Sequence, residues 1–324
     1  MEMPEVKIKK NMEYEINAKD MHYRSLNSAV KEIIKNAAQA KSLPITAPEN
    51  LKSADNNPSG QPGKKDTAIT ISLKNVIGQR YIGDGVKGNV KIKIYGVPGN
   101  DMAAFMDGPE IEVFGNAQDG VANTMNSGKI IVHGSSGDIT GYSMRGGEIY
   151  IRDNVGWRSG IHMKSYLDKF PAIVIGGKAG NFLGEYMAGG LIIVLGLDSG
   201  ASNRYEEPGE GKDMEDGTCK QREKTYYFEK FYSTSSSSVV GDFAGTGMHG
   251  GRIFICGDVD EYQIGKEVKK TKPDKNDIEV LKHYINNYCS FFKADYEKMI
   301  SGRLKNFIKL APYSHRPYGK LYAY

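Results

Sequence analysis

The chain has 324 residues, 39% of them hydrophobic, and carries 43 basic against 39 acidic side chains for a formal charge of +4. Its length admits one large domain or two ordinary ones, and its apolar content suffices to build a core. The near balance of charge excludes the concentrated basic field of a nucleic-acid binder, and neither the opening MEMPEVKIKK nor the longest apolar run, around Leu191 to Leu195, reads as a signal peptide or a membrane span.

In chain order, the first element is a helix over residues 20–42, where Leu26, Val30, Ile33, Ile34 and Ala37 recur at helical spacing and Ser25 or Asn27 would cap the start. Residues 47–66, rich in Pro, Gly, Asn and Lys, read as a linker. Residues 1–66 are therefore set apart from a main domain over 67–257.

That domain is an internal repeat. Ile92, Ile111, Ile130 and Ile149 follow one another at 19-residue steps, then Ile173 after 24, Ile192 after 19 and Ile253 after 61. Ile94, Val113, Val132, Ile151, Ile175, Val194 and Ile255 keep the same steps, as do Met106, Met125, Met144, Met163, Met187 and Met248. Each repeat holds an I-x-[IV] alternation, a strand with one buried face, followed by glycine-marked corners with no room for a helix. Nineteen residues extended at ~3.3 Å each make one closed coil rather than one strand. The fold expected is all-β: a right-handed parallel β-helix of about seven coils, with TISL as the first and Leu73 aligned on Ile92, stacked at ~4.8 Å so that like residues form ladders in one core.

Glycine makes up 39 residues, well above the ~7% usual in proteins. GSSGDITGYSM at 134–144 and GKAGNFLGEYM at 177–187 share the spacing G-x-x-G-x-x-x-G-x-x-M. The expected structural corner glycines are Gly96, Gly115, Gly134, Gly137, Gly141, Gly156, Gly160, Gly177, Gly180, Gly184, Gly241 and Gly245. At such corners the chain turns sharply, often with positive φ, and neighbouring coils leave no space for a Cβ.

Two insertions interrupt the ruler. The 24-residue step adds five residues near KSYLDKF, and the 61-residue step adds 42, residues 197–238. The longer one is charged, then aromatic, then Ser-rich, which leaves open a disordered excursion, a flap packed on the coil wall or a binding loop for a partner. Beyond Gly257, DKNDIEVLKHYINNYCSFF and DYEKMISGRLKNFIKLAP read as two helices stopped at Pro312, so that residues 258–324 form a helical cap over the open end of the stack.

Chemistry-bearing patterns are few. GDGVKG at 83–88 and GTGMHG at 245–250 match G-x-G-x-x-G without the βαβ setting that dinucleotide binding requires. Cys219, Cys256 and Cys289 are odd in number and far apart, suiting neither a disulfide framework nor a metal or iron–sulfur site; they read as free thiols in a reducing cytoplasm. His22, His133, His162, His249, His283 and His315 form no ligating pair and read as surface or capping residues. Asp119 and Asp138 are 19 apart, but Trp157 and Asn181 follow them, so no carboxylate column forms. The methionine column reads as core filler. Asn126, Arg145 and Lys164 share a wall as a basic strip or a solvated face.

NVIGQRYIGDGVKG, the repeated G-x-x-G-x-x-x-G coils and the GG-x-I-x-[IV]-x-G joints resemble the C-terminal β-helix domain of the glutamate synthase large subunit, the GXGXG domain, over residues 70 to 257. The stretch from IEVLKHYINNY to FIKLAP is similar to the tail that follows that domain. The whole chain resembles the stand-alone version found where glutamate synthase is split into separate polypeptides. A more distant likeness is the C subunit of formylmethanofuran dehydrogenase.

The resemblance implies a non-catalytic component with no catalytic, metal or cofactor-binding residue of its own. Its partners would be a glutamine amidotransferase unit and a synthase unit that holds flavin and an iron–sulfur cluster. It implies neither nucleic acid nor membrane as partner, and leaves self-association open. The absence of cysteine before Cys219, of a βα alternation for a flavin barrel and of a cysteine cluster agrees with that division of labour. The 42-residue insertion departs from the family pattern. The alternatives are a β-helix subunit of a molybdenum or tungsten formate-type enzyme and an independent carbohydrate-binding or carbohydrate-cleaving β-helix.

Overall fold

A strand that buries alternate side chains in a stack of its own repeats needs nothing but register, and the ladder supplies it. The computed structural model describes residues 6–9, 12–42, 68–197, 238–301 and 303–313; the linker at 47–66, residues 198–237 of the insertion, Cys219 and His315 lie outside them. A hairpin of β1 (Val6–Lys9) and β2 (Glu13–Asn17) comes first, then helix α1 (Tyr23–Ser42). Eight parallel strands follow: β3 (Ile69–Ile77), β4 (Val90–Val97), β5 (Asp107–Phe114), β6 (Ser127–Val132), β7 (Gly147–Ile151), β8 (Pro171–Ile175), β9 (Ala188–Val194) and β10 (Gly250–Cys256). The chain continues with β11 (Val268–Thr271), α2 (Lys275–Phe292), α3 (Tyr296–Ser301) and β12 (Phe307–Pro312). Six turns of a parallel β-solenoid, from β3 to β9, lie wholly within the described residues, and a further one runs from β9 to β10.

Both expected ladders are present. Ile92, Ile111, Ile130, Ile149, Ile173, Ile192 and Ile253 pair in succession, as do Ile94, Val113, Val132, Ile151, Ile175, Val194 and Ile255, all fully buried. The methionine column is also fully buried in this core. The first coil differs from expectation. Ile71, not Leu73, pairs with Ile92, and Leu73 pairs with Ile94, a 21-residue step with a register shift between Leu73 and Val76. The shift places one extra residue in β3 relative to β4 before its corner, and Val76 then pairs with Gly96.

The ends of the stack are closed in different ways. At the first end β2 adds a parallel strand to β3, and α1 buries Leu26, Val30, Ile33 and Ala37 in the same core as the ladder. α1 starts at Tyr23, so Ser25 and Asn27 lie within it rather than at its cap; the Asn27 amide instead donates to the carbonyl of Arg80. At the other end the expected second helix is mostly absent. Only Tyr296–Ser301 is α-helical, a 3-10 turn covers Leu304–Asn306, and Phe307–Pro312 is a strand antiparallel to β10 that carries β11 on its far side. An exposed strand edge with unpaired N–H and C=O groups is satisfied by a strand, not by a helix, so edge pairing overrides the local helical pattern of LKNFIKL. Ile308 and Leu310 join the core beside Val259 and Val268.

The expected helical cap is corrected in position too. α2 does not cover the open end; it lies across the outer face of the strand wall. From β6 onward that outer face is apolar, with Ile131, Tyr150, Val174, Ile193 and Phe254 packed against Leu281, Ile285, Tyr288, Cys289 and Phe292 of α2. An 18-residue helix is about 27 Å long, and the five strands β6–β10 at ~4.8 Å spacing span about 19 Å, so one helix covers that wall. The Tyr288 hydroxyl donates to the Arg152 carbonyl at 2.8 Å through a space left by Gly176, where a Cβ would collide with the ring hydroxyl. The start of α2 is fixed by Asp277, whose side chain is 1% exposed. Arg252 of β10 donates to it at 2.9 Å, Lys309 of β12 also donates, and Asp274 and Asp277 form a reciprocal capping box.

Two predictions come from this packing. Ile149→Asp places an unpaired carboxylate between Ile130 and Ile173, at a cost of several kcal/mol; the variant should be unfolded by circular dichroism, and full thermal stability would contradict the ladder. Asp277→Ala should cost about 3 kcal/mol in chemical denaturation, the lower end for breaking a buried ion pair, because Arg252 and Lys309 keep some access to water. Burial alone would raise the Asp277 carboxyl, but hydrogen bonds from Lys309, the Asp274 backbone N–H and Arg252 outweigh it and hold the group below its ordinary 3.8. A lowered carboxyl contributes stability above its unfolded value and loses it as pH falls through its folded one. Acid should therefore release α2 only below about pH 4, and Asp277→Asn should remove that step.

Candidate interaction surface

Away from the strand wall, each coil turns through a run in which alternate residues take positive φ. Arg158, Gly160 and His162 lie at 56°, 73° and 55°, and Phe182, Gly184 and Tyr186 at 61°, 65° and 53°. The alternation points successive N–H groups to opposite neighbours: His162 N–H donates to Glu185 of the next coil and Gly160 N–H to Thr140 of the previous one. The middle residue faces inward against the ladder. A Cβ on Gly141 would lie 2.5 Å from the Ile173 Cδ1, yet Ala103 and Ala122 occupy the same column at φ 61°.

A second group of the corner glycines is held by contact rather than by torsion. Gly134, Gly137, Gly156, Gly177 and Gly241 show no positive φ, but a Cβ on each would collide with a side-chain oxygen from the coil before: Asn116, Asp119, Asp138, Asn154 and Asn181 respectively. Each oxygen passes over the glycine to accept from the following N–H. Ser135 donates to Asn116 at 2.9 Å, Asp138 to Asp119 at 2.9 Å, Trp157 to Asp138 at 2.7 Å, Lys178 to Asn154 at 2.8 Å and Asp242 to Asn181 at 3.0 Å. These residues form brackets between coils, a role the sequence reading did not assign. The signal was present: an Asn or Asp stands 18 residues before Gly134, Gly137 and Gly156, and the offset grows only by the inserted residues at Gly177 and Gly241.

Of the remaining corner glycines, Gly245 and Gly96 have positive φ, and a Cβ on Gly96 would strike the Val76 carbonyl. Gly115 lies over the backbone of Gly96, and Gly180 over Gly156 and Trp157.

The groups with chemical potential are placed structurally. Cys256 and Cys289 are buried free thiols; burial pushes Cys289 up to about 12 and raises Cys256. Among the described residues no cluster of three His, Cys, Asp or Glu side chains could hold a metal ion, and no helix is long and apolar enough to cross a membrane. His133 stacks on Phe114, meets Phe292 of α2 edge-on and contacts Glu112 at 3.0 Å. Asn126, Arg145 and Lys164 form one column, each N–H donating to the methionine carbonyl of the preceding coil.

What the turns display outward is aromatic and cationic. Phe182 stacks on Phe243 at 5.1 Å between ring centres, and His162 on Tyr186 at 5.3 Å. The Arg158 guanidinium lies 5.0 Å from the Phe182 ring centre and 3.5 Å from the buried carboxylate of Glu185. Trp157, Phe243 and Tyr186 are exposed beside them. Aromatic and arginine side chains in this arrangement are the composition of protein interfaces. Close to them the five-residue insertion forms a small hairpin in which Tyr166 pairs with Lys169.

A solenoid of 19-residue coils held by corner glycines defines a glycine-ruled β-helix, and the comparison with protein families agrees: the chain belongs to the GXGXG motif family, whose model matches residues 63–313. This is the family represented by the C-terminal domain of glutamate synthase. The chain is also 42% identical over 310 residues, 95% of each chain, to Uncharacterized protein MJ1350 of Methanocaldococcus jannaschii.

The two kinds of corner glycine should respond differently to alanine. Gly141→Ala should cost about 1 kcal/mol, since its neighbour is the flexible end of a side chain and alanine is tolerated in that column. Gly156→Ala meets backbone of Gly137 and Asp138 at 2.7–2.8 Å and expels the Asp138 bracket; about 3 kcal/mol is expected, from overpacking together with a lost hydrogen bond. Urea denaturation of the two variants measures the difference, and equal losses would contradict the distinction.

Proposed function

We propose that the chain is a non-catalytic structural component of a glutamate synthase-related complex, bracing a glutamine amidotransferase unit and a flavin-bearing synthase unit so that ammonia passes between them in the cytoplasm. The observation that supports this reading is the family match, which spans most of the chain and relates it to the C-terminal domain of glutamate synthase. Its physical support is stiffness. Each coil is tied to the next by strand hydrogen bonds and by the alternating turn, and corner brackets join the coils from Asn116 to Asp242, an arrangement that favours stiffness. The deeply buried thiols fit a framework role, since a buried protonated thiol is a poor nucleophile.

The test is to express the full chain alone and together with the amidotransferase and flavin subunits of its source. The isolated chain should be colourless, should release no ammonia from glutamine and should form no glutamate from 2-oxoglutarate, while it should co-purify stoichiometrically with both subunits. A flavin spectrum, glutaminase activity in the isolated chain, or association with neither subunit would overturn the proposal.

A further inference from the structure

Three strands of the closing sheet have their ends at one place. β10 stops at Cys256, the antiparallel β12 starts opposite it at Phe307, and β11 stops at Thr271 beside Lys309 of β12. Between these ends and the loop that follows Gly257 lies a cavity of about 1000 Å³, at the upper end of the size range of small-molecule sites. Gly196 and Gly257 bring no side chain into it, and Val239, Cys256 and Ile308 form the apolar part of its lining.

The charge of this lining is one-sided. Lys270, Lys272, Arg303 and Lys305 stand against two acids, Asp258 and Asp260, an excess of two positive charges. Lys270 is already satisfied, since it donates to Asp258 at 3.2 Å and to the Val259 carbonyl at 2.7 Å. Arg303 is not. The partly buried arginines Arg152 and Arg252 each meet a carboxylate, of Asp153 and Asp277. Arg303 is also partly buried, but it donates to the Leu195 carbonyl at 3.0 Å and forms no ion pair among the described residues. Most of its five N–H donors are left for another acceptor, and a guanidinium withdrawn from water without a counter-charge is costly.

The free cations approach the cavity from two elements: Lys272 from the end of β11, Arg303 and Lys305 from the turn before β12. Two separated anionic groups satisfy such a layout better than one tetrahedral anion, and the apolar lining suits a carbon chain between them. We propose that this cavity binds a small dicarboxylate, with one carboxylate on the Arg303 fork and Lys305, the other on Lys272, and the carbon chain against Val239 and Ile308. The planar fork of arginine matches a carboxylate bidentately, and the charge of the ligand equals the excess in the lining. The site is complete within this chain and is independent of the bracing role proposed above.

Calorimetric titration of the full chain tests the site, with succinate, its uncharged diamide and pyrophosphate as probes. Succinate should bind with a dissociation constant of about 1 mM or tighter, and the diamide should not bind. Arg303→Gln and Lys305→Gln should each weaken succinate binding by about tenfold or more, as loss of a charge-assisted hydrogen bond does, while Lys164→Gln on the turn wall should not. Lys305 is exposed, so its variant keeps the test open even where Arg303→Gln, which loses the bond to Leu195, fails to fold. No uptake of succinate, equal uptake of the diamide, Lys305→Gln within about twofold of wild type, or an equal loss in Lys164→Gln would overturn the site. Pyrophosphate binding about tenfold tighter than succinate would overturn the dicarboxylate assignment in favour of a phosphate ligand. Succinate binding that appears only when Glu206, Glu207 and Glu210 are changed to Gln would give the cavity to the chain's own carboxylates and overturn it as well.

Discussion

At a coil spacing of about 4.8 Å there is no room for a side chain between one corner and the next, and the architecture depends on what fills that gap. At Gly137, Gly156 and Gly241 the gap holds an oxygen from the previous coil, bonded to a backbone N–H that would otherwise lack a partner in the stack. The glycine and the acceptor are one device: the first makes space and the second uses it. Because the acceptor belongs to one coil and the glycine to the next, the device fixes register as well as proximity. A slip of one residue would put a Cβ where the oxygen must pass.

The same regularity creates three liabilities, each met by an element outside the repeat. The two ends of the core are open, and α1 covers one with its apolar stripe while β12 and β11 extend the other as strands. The outer face of β6–β10 is apolar, and α2 covers it. Asp277 links two of these solutions, since it accepts from β10 and from β12 while starting α2. The edge strands that remain, β1 and β11, carry Lys7, and Lys269 and Lys270, the charges that discourage pairing between molecules.

The ladders were legible because a repeating side chain is a direct record of a repeating position. The parts that were not legible fall where a second body decides. FIKLAP has apolar residues that fit either period, and it became a strand because β10 offered an edge. Leu73 pairs two residues beyond its expected partner because the first coil takes a 21-residue step where the ruler expects 19. The wall position of α2 could have been inferred from PAIVI and LIIV, which are apolar at every position and therefore must be buried on both faces, unlike KIKIY and EIEVF, which alternate. The brackets were missed because Asp119, Asp138, Trp157 and Asn181 were compared as a column of like residues, whereas their chemistry relates each one to a glycine in the next coil.

A stack of this kind separates support from variation. Every coil supplies two ladder positions and an inward turn residue, and several add a bracket, which leaves few positions free to change. Variation enters where the ladder can close around it, and the chain uses two such points: before β8 and after β9. At the first, the added residues form a hairpin, seated on glycines of adjacent coils, with Leu167 exposed at its tip. The turn wall beside it presents the stacked rings and Arg158. Repetition thus gives a rigid frame, and the departure from repetition gives that frame a distinguishable place on its surface.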